Sequence, residues 1–174
     1  MTGSKKVFIL NPPCYLMRSA VLETEIFIYI LEKIENKFYE LIASEALLYE
    51  NMKDSDMERK ERVSSYFELS NKFIEIADKD IYRGRFLQEK GFSGIDSLHI
   101  ALAEKARADY FITCDDGIIK LYKKYKKLIN IEVLSLVEFI GRINKWDTHC
   151  LRLKLTDGMR SLKSLAMPEL QSLY

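Results

Sequence analysis

The chain has 174 residues, of which 48% are hydrophobic, and its formal net charge is +1. This length and composition predict one globular core of moderate size and exclude both an apolar run long enough to span a membrane and a signal-peptide core at the start. The near-neutral charge gives no general electrostatic signal for nucleic acid, and three cysteines without a framework spacing favour a reducing, cytoplasmic environment.

The first predicted elements are a strand at residues 7–10, a long amphipathic helix at residues 17–35 and a second strand at residues 38–43. Asn11 directly follows the first of these strands. The polar side chain at this point is the first candidate for a site at the end of a strand.

A short helix follows the second strand, with Ser44 as its predicted N-cap. Glu50 lies four residues after Ala46 and three after Leu47, a spacing that directs it towards the apolar side of that helix. Glu45 lies on another side and is expected to face solvent. The alternative for Glu50 is an ordinary solvated charge.

The next segment is charged and opens a helix that is predicted to run without a break over residues 54–77. Its members in helical register are Val63, Phe67, Ser70 and Ile74. A further helix is predicted at residues 81–90, closed by Gly91.

Gly94 precedes a helix that carries the second acidic candidate. Asp96, His99, Ile100 and Ala103 share one face of this helix. A carboxylate in the first turn would lie beside the end of the following strand. The alternative is that Asp96 interacts only with the helix dipole or caps the helix. For His99 a packing role is favoured over a catalytic one, because a metal could activate water without it.

The third acidic candidate follows an apolar strand at residues 110–112. Asp115 lies in the turn between this strand and a helix predicted at residues 117–125. Ligands of open parallel α/β sheets bind just outside the carboxyl ends of the strands, so a carboxylate here predicts chemistry. The equal alternative is that Asp115 or Asp116 caps the helix.

Five lysines follow the turn within eight residues and are interleaved with Tyr122 and Tyr125. The lysine cluster consists of Lys120, Lys123, Lys124, Lys126 and Lys127. It could bind RNA phosphates while the tyrosines stack on bases. The alternative is a solvated helix face whose positive charges favour the helix C-terminus.

The last core elements are a strand at residues 128–134 and a helix at residues 135–143. Residues 146–174 look added to this core, because their period-two leucines and turn signal form a separate small unit. The predicted organisation is a domain at 1–145 and a C-terminal appendage at 146–174.

Four stretches of the chain resemble the PIN-domain family of metal-dependent ribonucleases, and they frame residues 6–143. These stretches are 6–11, 44–50, 95–103 and 108–115. The resemblance implies a three-layer α/β/α fold with a central parallel sheet, and an acidic cluster that binds Mg²⁺ or Mn²⁺ and cleaves RNA. It also implies RNA and an antitoxin protein as partners, since many members are toxins. A second copy of the chain is a further expected partner, because the appendage at 146–174 could dock onto a second subunit.

The implied site contains catalytic carboxylates and metal ligands. The carboxylates are Glu50, Asp96 and Asp115, and the ligands are these three with Asn11, and Asp116 in reserve. Oxygen ligands suit Mg²⁺ and Mn²⁺, and no Cys/His spacing indicates zinc. The chain departs from the family at Asn11, where the family has an acid, and an amide brings no charge to a metal site.

The sequence therefore predicts a PIN-like ribonuclease. One alternative is a catalytically weakened domain that binds RNA or a protein, which Asn11 favours. Another is an unrelated α/β domain in which all three acids are helix caps.

Overall fold

The computed structural model describes residues 5–10 and 20–143, with side chains for residues 5–7 and 25–143. The strands are β1 Lys5–Leu10, β2 Tyr39–Ser44, β3 Lys72–Ile74, β4 Tyr110–Thr113 and β5 Glu132–Leu134. The helices are α1 Ala20–Glu35, α2 Glu45–Lys53, α3 Met57–Glu68, α4 Asp78–Gln88, α5 Gly94–Lys105, α6 Asp116–Tyr125 and α7 Leu136–Ile143, and a 3₁₀ turn covers Lys126–Leu128.

The five strands form one sheet in the order β3-β2-β1-β4-β5, and every neighbouring pair is parallel. Parallel pairing requires a crossover between successive strands, which the helices supply. The predicted α/β class with a central parallel sheet is therefore confirmed.

Helices cover both faces of the sheet, as a parallel sheet requires. On one face, Ile42, Phe111 and Val133 pack in a buried cluster with side chains from α4, α5 and α6. On the other face, the ring of Phe139 from α7 contacts Tyr39 and Tyr110 at centroid distances of 5.6 and 5.2 Å. The resulting arrangement is the predicted three-layer sandwich.

The prediction of one helix over residues 54–77 was wrong. Helix α3 ends at Glu68, and the chain then forms the edge strand β3. Asn71 is responsible, because its backbone N–H donates to the carbonyl of Leu41 at 2.9 Å while its Oδ1 accepts from the N–H of Leu41 at 3.0 Å. These two bonds fix residue 71 beside β2, where a helix cannot continue.

The strand predicted at residues 128–134 was too long, since the 3₁₀ turn Lys126–Leu128 precedes the three-residue β5. The compact unit formed by most of the chain ends at Phe139, and the second unit is Ile140–Tyr174. The predicted appendage at 146–174 lies outside the described residues, so the boundary at residue 145 stays a prediction. Among the described residues, no helix combines the length and apolarity that a membrane crossing needs.

Candidate functional site

The strand order reverses at the centre of the sheet. From β1 the chain adds β2 and β3 on one side, and it later adds β4 and β5 on the other. The carboxyl ends of β1 and β4 thus flank the point at which the crossovers diverge, where parallel α/β sheets bind ligands. Leu10 is aligned with Thr113, so the two strands end level with each other.

Asp115 lies two residues beyond the end of β4 and begins α6 as its N-cap. Its Oδ1 accepts hydrogen bonds from the N–H of Gly117 at 2.6 Å and from the N–H of Ile118 at 3.2 Å. A Cβ at Gly117 would lie 2.9 Å from this oxygen, so the glycine permits the close approach. The capping interpretation of Asp115 is confirmed, and it occupies one of the two carboxylate oxygens.

Asp96 lies in the first turn of α5, which Ser93 caps. The Ser93 hydroxyl donates to Oδ2 of Asp96 at 2.5 Å, and the N–H of Asp96 donates to the Ser93 oxygen at 3.2 Å. Because α5 leads back into β4, its N-terminus is on the carboxyl side of that strand. Sequence reasoning missed Ser93, although a serine three residues before an acid is a familiar helix-start signal.

Glu50 joins α2 to α5 through His99. The distance between Oε2 of Glu50 and Nε2 of His99 is 3.0 Å. The His99 side chain is fully buried, whereas that of Glu50 is 38% exposed. His99 therefore has the packing role that was predicted and, in addition, a specific hydrogen-bond partner. No feature of the sequence indicated this pair, whose members are 49 residues apart.

The remaining predicted site residues are less informative. Asn11 lies outside the described residues, and Asp116 is an exposed residue in the first turn of α6. Glu45, expected to face solvent, is exposed but accepts a hydrogen bond from the N–H of Ile76 at 2.8 Å. It therefore fastens the start of α2 to the segment after β3.

Within residues 5–10 and 20–143, no group of three or more His, Cys, Asp or Glu side chains is gathered in a way that could hold a metal ion. The donors present are carboxylate oxygens, which match Mg²⁺ and Mn²⁺ in type. Mg²⁺ commonly takes only one or two protein carboxylates and keeps several waters. The ligand set of Asn11, Glu50, Asp96, Asp115 and Asp116 stays a prediction.

The lysine cluster begins on α6 and ends in the 3₁₀ turn, and its five side chains are exposed. Lys123 binds Glu138 at 2.9 Å. Lys123, the next member after Lys120, lies eight residues after Asp115, about 12 Å further along a helix axis, so Lys120 is the member of the cluster nearest the carboxyl edge of the sheet. Tyr122 is buried in the core and cannot stack on a base, so that part of the RNA interpretation was wrong.

No protein-family model and no curated protein matches the chain. Solved structures similar to it include VapBC2 from Rickettsia felis bound to a DNA fragment from their promoter. That similarity has 15% sequence identity and a TM-score of 0.41, and it covers 74% of this chain and 98% of that chain. Similarity at this level carries no conclusion about the activity or partners of the chain.

Proposed function

We propose that the chain is a metal-dependent ribonuclease of the PIN type. The observation that carries the proposal is the position of Asp96 and Asp115 on the carboxyl side of β4. Asp115 lies two residues after β4, beside the point where the strand order reverses, and Asp96 lies in the first turn of the helix that leads into β4. Glu50 is bonded to that same helix through His99.

Glu50, Asp96 and Asp115 are the proposed carboxylates, with Asn11 as an uncharged ligand and Asp116 as a reserve. Among the described residues, each of the first three carboxylates uses one oxygen in a hydrogen bond. The second oxygen of each is the proposed ligand for Mg²⁺ or Mn²⁺. A divalent cation at this edge would supply an activated water and stabilise the leaving oxygen of a phosphodiester.

The contribution of the chain itself is orientation and charge. The hydrogen bonds from Ser93, His99 and the start of α6 restrict the three carboxylates, which lowers the entropy lost when they bind a cation. The proposed substrate is RNA, and Lys120 is the lysine of the cluster best placed to bind its phosphates. The sequence resemblance further supports an antitoxin partner. The appendage at 146–174 supports a homodimer and the cysteine spacing supports a cytoplasmic location, as further parts of the proposal.

Calorimetry with Mn²⁺ and a cleavage assay on a fluorogenic single-stranded RNA test the proposal. Glu50→Gln, Asp96→Asn and Asp115→Asn should each weaken Mn²⁺ binding and cleavage, because each removes one negative charge from the site. Asp78→Asn is the matched control, since Asp78 also lies in the first turn of a helix but on α4. Equal Mn²⁺ affinity in all four variants would refute the proposal.

Asn11 favours a second candidate function, that of a weakened domain that binds RNA without cleaving it. Asn11→Asp adds the missing charge and should tighten Mn²⁺ binding and increase cleavage if the remaining site is intact. RNA binding by the unaltered chain with no gain in metal binding or cleavage from Asn11→Asp would favour the binding module.

A further inference from the structure

The pair formed by Glu50 and His99 is asymmetric in its exposure. The His99 ring is completely buried on α5, and the Glu50 carboxylate reaches solvent from α2. An ionised carboxylate can only accept hydrogen bonds, so Nε2–H of His99 donates to Oε2 of Glu50 over 3.0 Å. Packing fixes the buried His99 ring, and the hydrogen bond from this ring fixes the exposed Glu50 carboxylate.

We infer that His99 is a positioning residue, which holds the Glu50 carboxylate in the orientation that binds the cation. This inference rests on the proposed function. A glutamate side chain rotates about several bonds, and restricting it costs conformational entropy. The hydrogen bond from His99 restricts the Glu50 side chain before the cation binds, so less entropy is lost on binding. The other oxygen, Oε1, accepts no hydrogen bond from a described residue and is the proposed ligand.

The position of His99 on its helix supports this role. Asp96 precedes His99 by three residues and therefore lies on the same face, about 4.5 Å away along the helix axis. One face of α5 thus carries one proposed ligand, Asp96, and the hydrogen-bond donor of another, Glu50.

Two amide substitutions separate positioning from simple packing. Gln places its amide nitrogen near the location of Nε2 in histidine, whereas Asn is one carbon shorter and cannot reach Glu50. His99→Asn should weaken Mn²⁺ affinity about 10- to 100-fold, the range seen when a hydrogen-bond partner of a metal ligand is lost. His99→Gln should restore most of that affinity.

Ile100→Ala is the matched control for destabilisation, because Ile100 is equally buried on α5 and does not hydrogen-bond Glu50. It should lower the thermal unfolding midpoint and leave Mn²⁺ affinity unchanged. If His99→Asn and His99→Gln weaken Mn²⁺ binding equally, or no more than Ile100→Ala does, the inference is wrong.

A second measurement needs no metal. Urea unfolding of Glu50→Ala, His99→Asn and the double variant measures how strongly the two residues are coupled. The effects of the two single substitutions should be non-additive by roughly two- to a hundredfold in the unfolding equilibrium constant, as for residues in direct contact. Additive effects would overturn the inference, because the hydrogen bond would then be absent in solution.

The outcomes also distinguish the inference from the proposed function. If Glu50→Gln weakens Mn²⁺ binding and His99→Asn does not, the inference fails and the ribonuclease proposal stands. If the unaltered chain neither binds Mn²⁺ nor cleaves RNA, both fail, whatever the urea measurement gives.

Discussion

Replacing Asp115 separates its two roles, because alanine and asparagine remove different properties of the side chain. Asp115→Ala removes the N-cap of α6 and leaves two N–H groups without their acceptor. Gly117 is exposed and can bond to water, whereas Ile118 is buried. The expected loss is therefore about 1–2 kcal/mol of folding free energy, in the upper half of the range for lost caps. For a chain of this size the thermal midpoint should fall by about 2–4 °C per kcal/mol.

Asp115→Asn keeps an oxygen that caps nearly as well as aspartate but removes the charge. Its thermal midpoint should stay within about 2 °C of the unaltered chain, while its Mn²⁺ affinity falls. For both variants, thermal unfolding measures the midpoint and calorimetry measures the Mn²⁺ affinity, independently of each other. An unchanged midpoint for Asp115→Ala would refute the capping geometry, and an unchanged Mn²⁺ affinity for Asp115→Asn would refute the role as a metal ligand.

Asp56 supplies the matched control for both substitutions. It caps α3 by accepting a hydrogen bond from the N–H of Arg59 at 3.0 Å, and it belongs to no predicted site. Asp56→Ala should cost about 1 kcal/mol of stability and leave Mn²⁺ affinity unchanged. A loss of Mn²⁺ affinity in this variant would mean that destabilisation alone weakens metal binding.

Three further predictions concern charges elsewhere in the molecule. Glu104→Ala breaks a pair with Arg83 at 2.7 Å whose carboxylate is only 10% exposed, and urea unfolding should show a loss of about 3 kcal/mol; a loss below about 1 kcal/mol would contradict this. Hydrogen bonds from the backbone of Ser135 and from the Lys123 side chain hold the pKa of Glu138 below its ordinary value of 4.5. Its stabilising effect is therefore present above that pH and lost as the pH falls below it. The difference in thermal midpoint between Glu138→Gln and the unaltered chain should shrink in acid, and a constant difference would refute this assignment. Replacing the lysine cluster with alanines should flatten the salt dependence of RNA affinity by about 0.7 in logarithmic slope per lost phosphate contact, whereas identical slopes would leave the cluster as a solvated surface.

The central strands could be predicted from the sequence because each is a short apolar run bounded by a turn or a cap. β3 could not, because its apolar residues also fit a helical spacing. The decision between helix and strand comes from Asn71, whose side chain and backbone both bind Leu41 thirty residues earlier. Tertiary contacts of this kind override local spacing and leave no local signal.

The candidate site, like the fold, could be predicted from the sequence only in part. Asp115 could be located from its place after an apolar strand, but that place suits a cap and a metal ligand equally well, and the structure confirms only the cap. The bond between Glu50 and His99 depends on how α2 packs against α5, which spacing along the chain does not encode. The carboxyl edge of the sheet was predictable, and the orientation of the side chains at that edge was not.

The central position of β1 has a consequence for how the protein is made. Val7 pairs with Leu41 on one side and with Tyr110 on the other, so the second partner is synthesised roughly a hundred residues later, and a topology rich in such distant pairings folds slowly. At about 5–20 residues per second, translation leaves one side of β1 unpaired for roughly 5–20 s. During that interval the middle of the finished sheet is an open edge, with backbone N–H and C=O groups that can pair with another nascent chain. A fragment that ends before Tyr110 keeps this edge permanently and is expected to self-associate, so interrupted synthesis should yield aggregates and not a half-active protein.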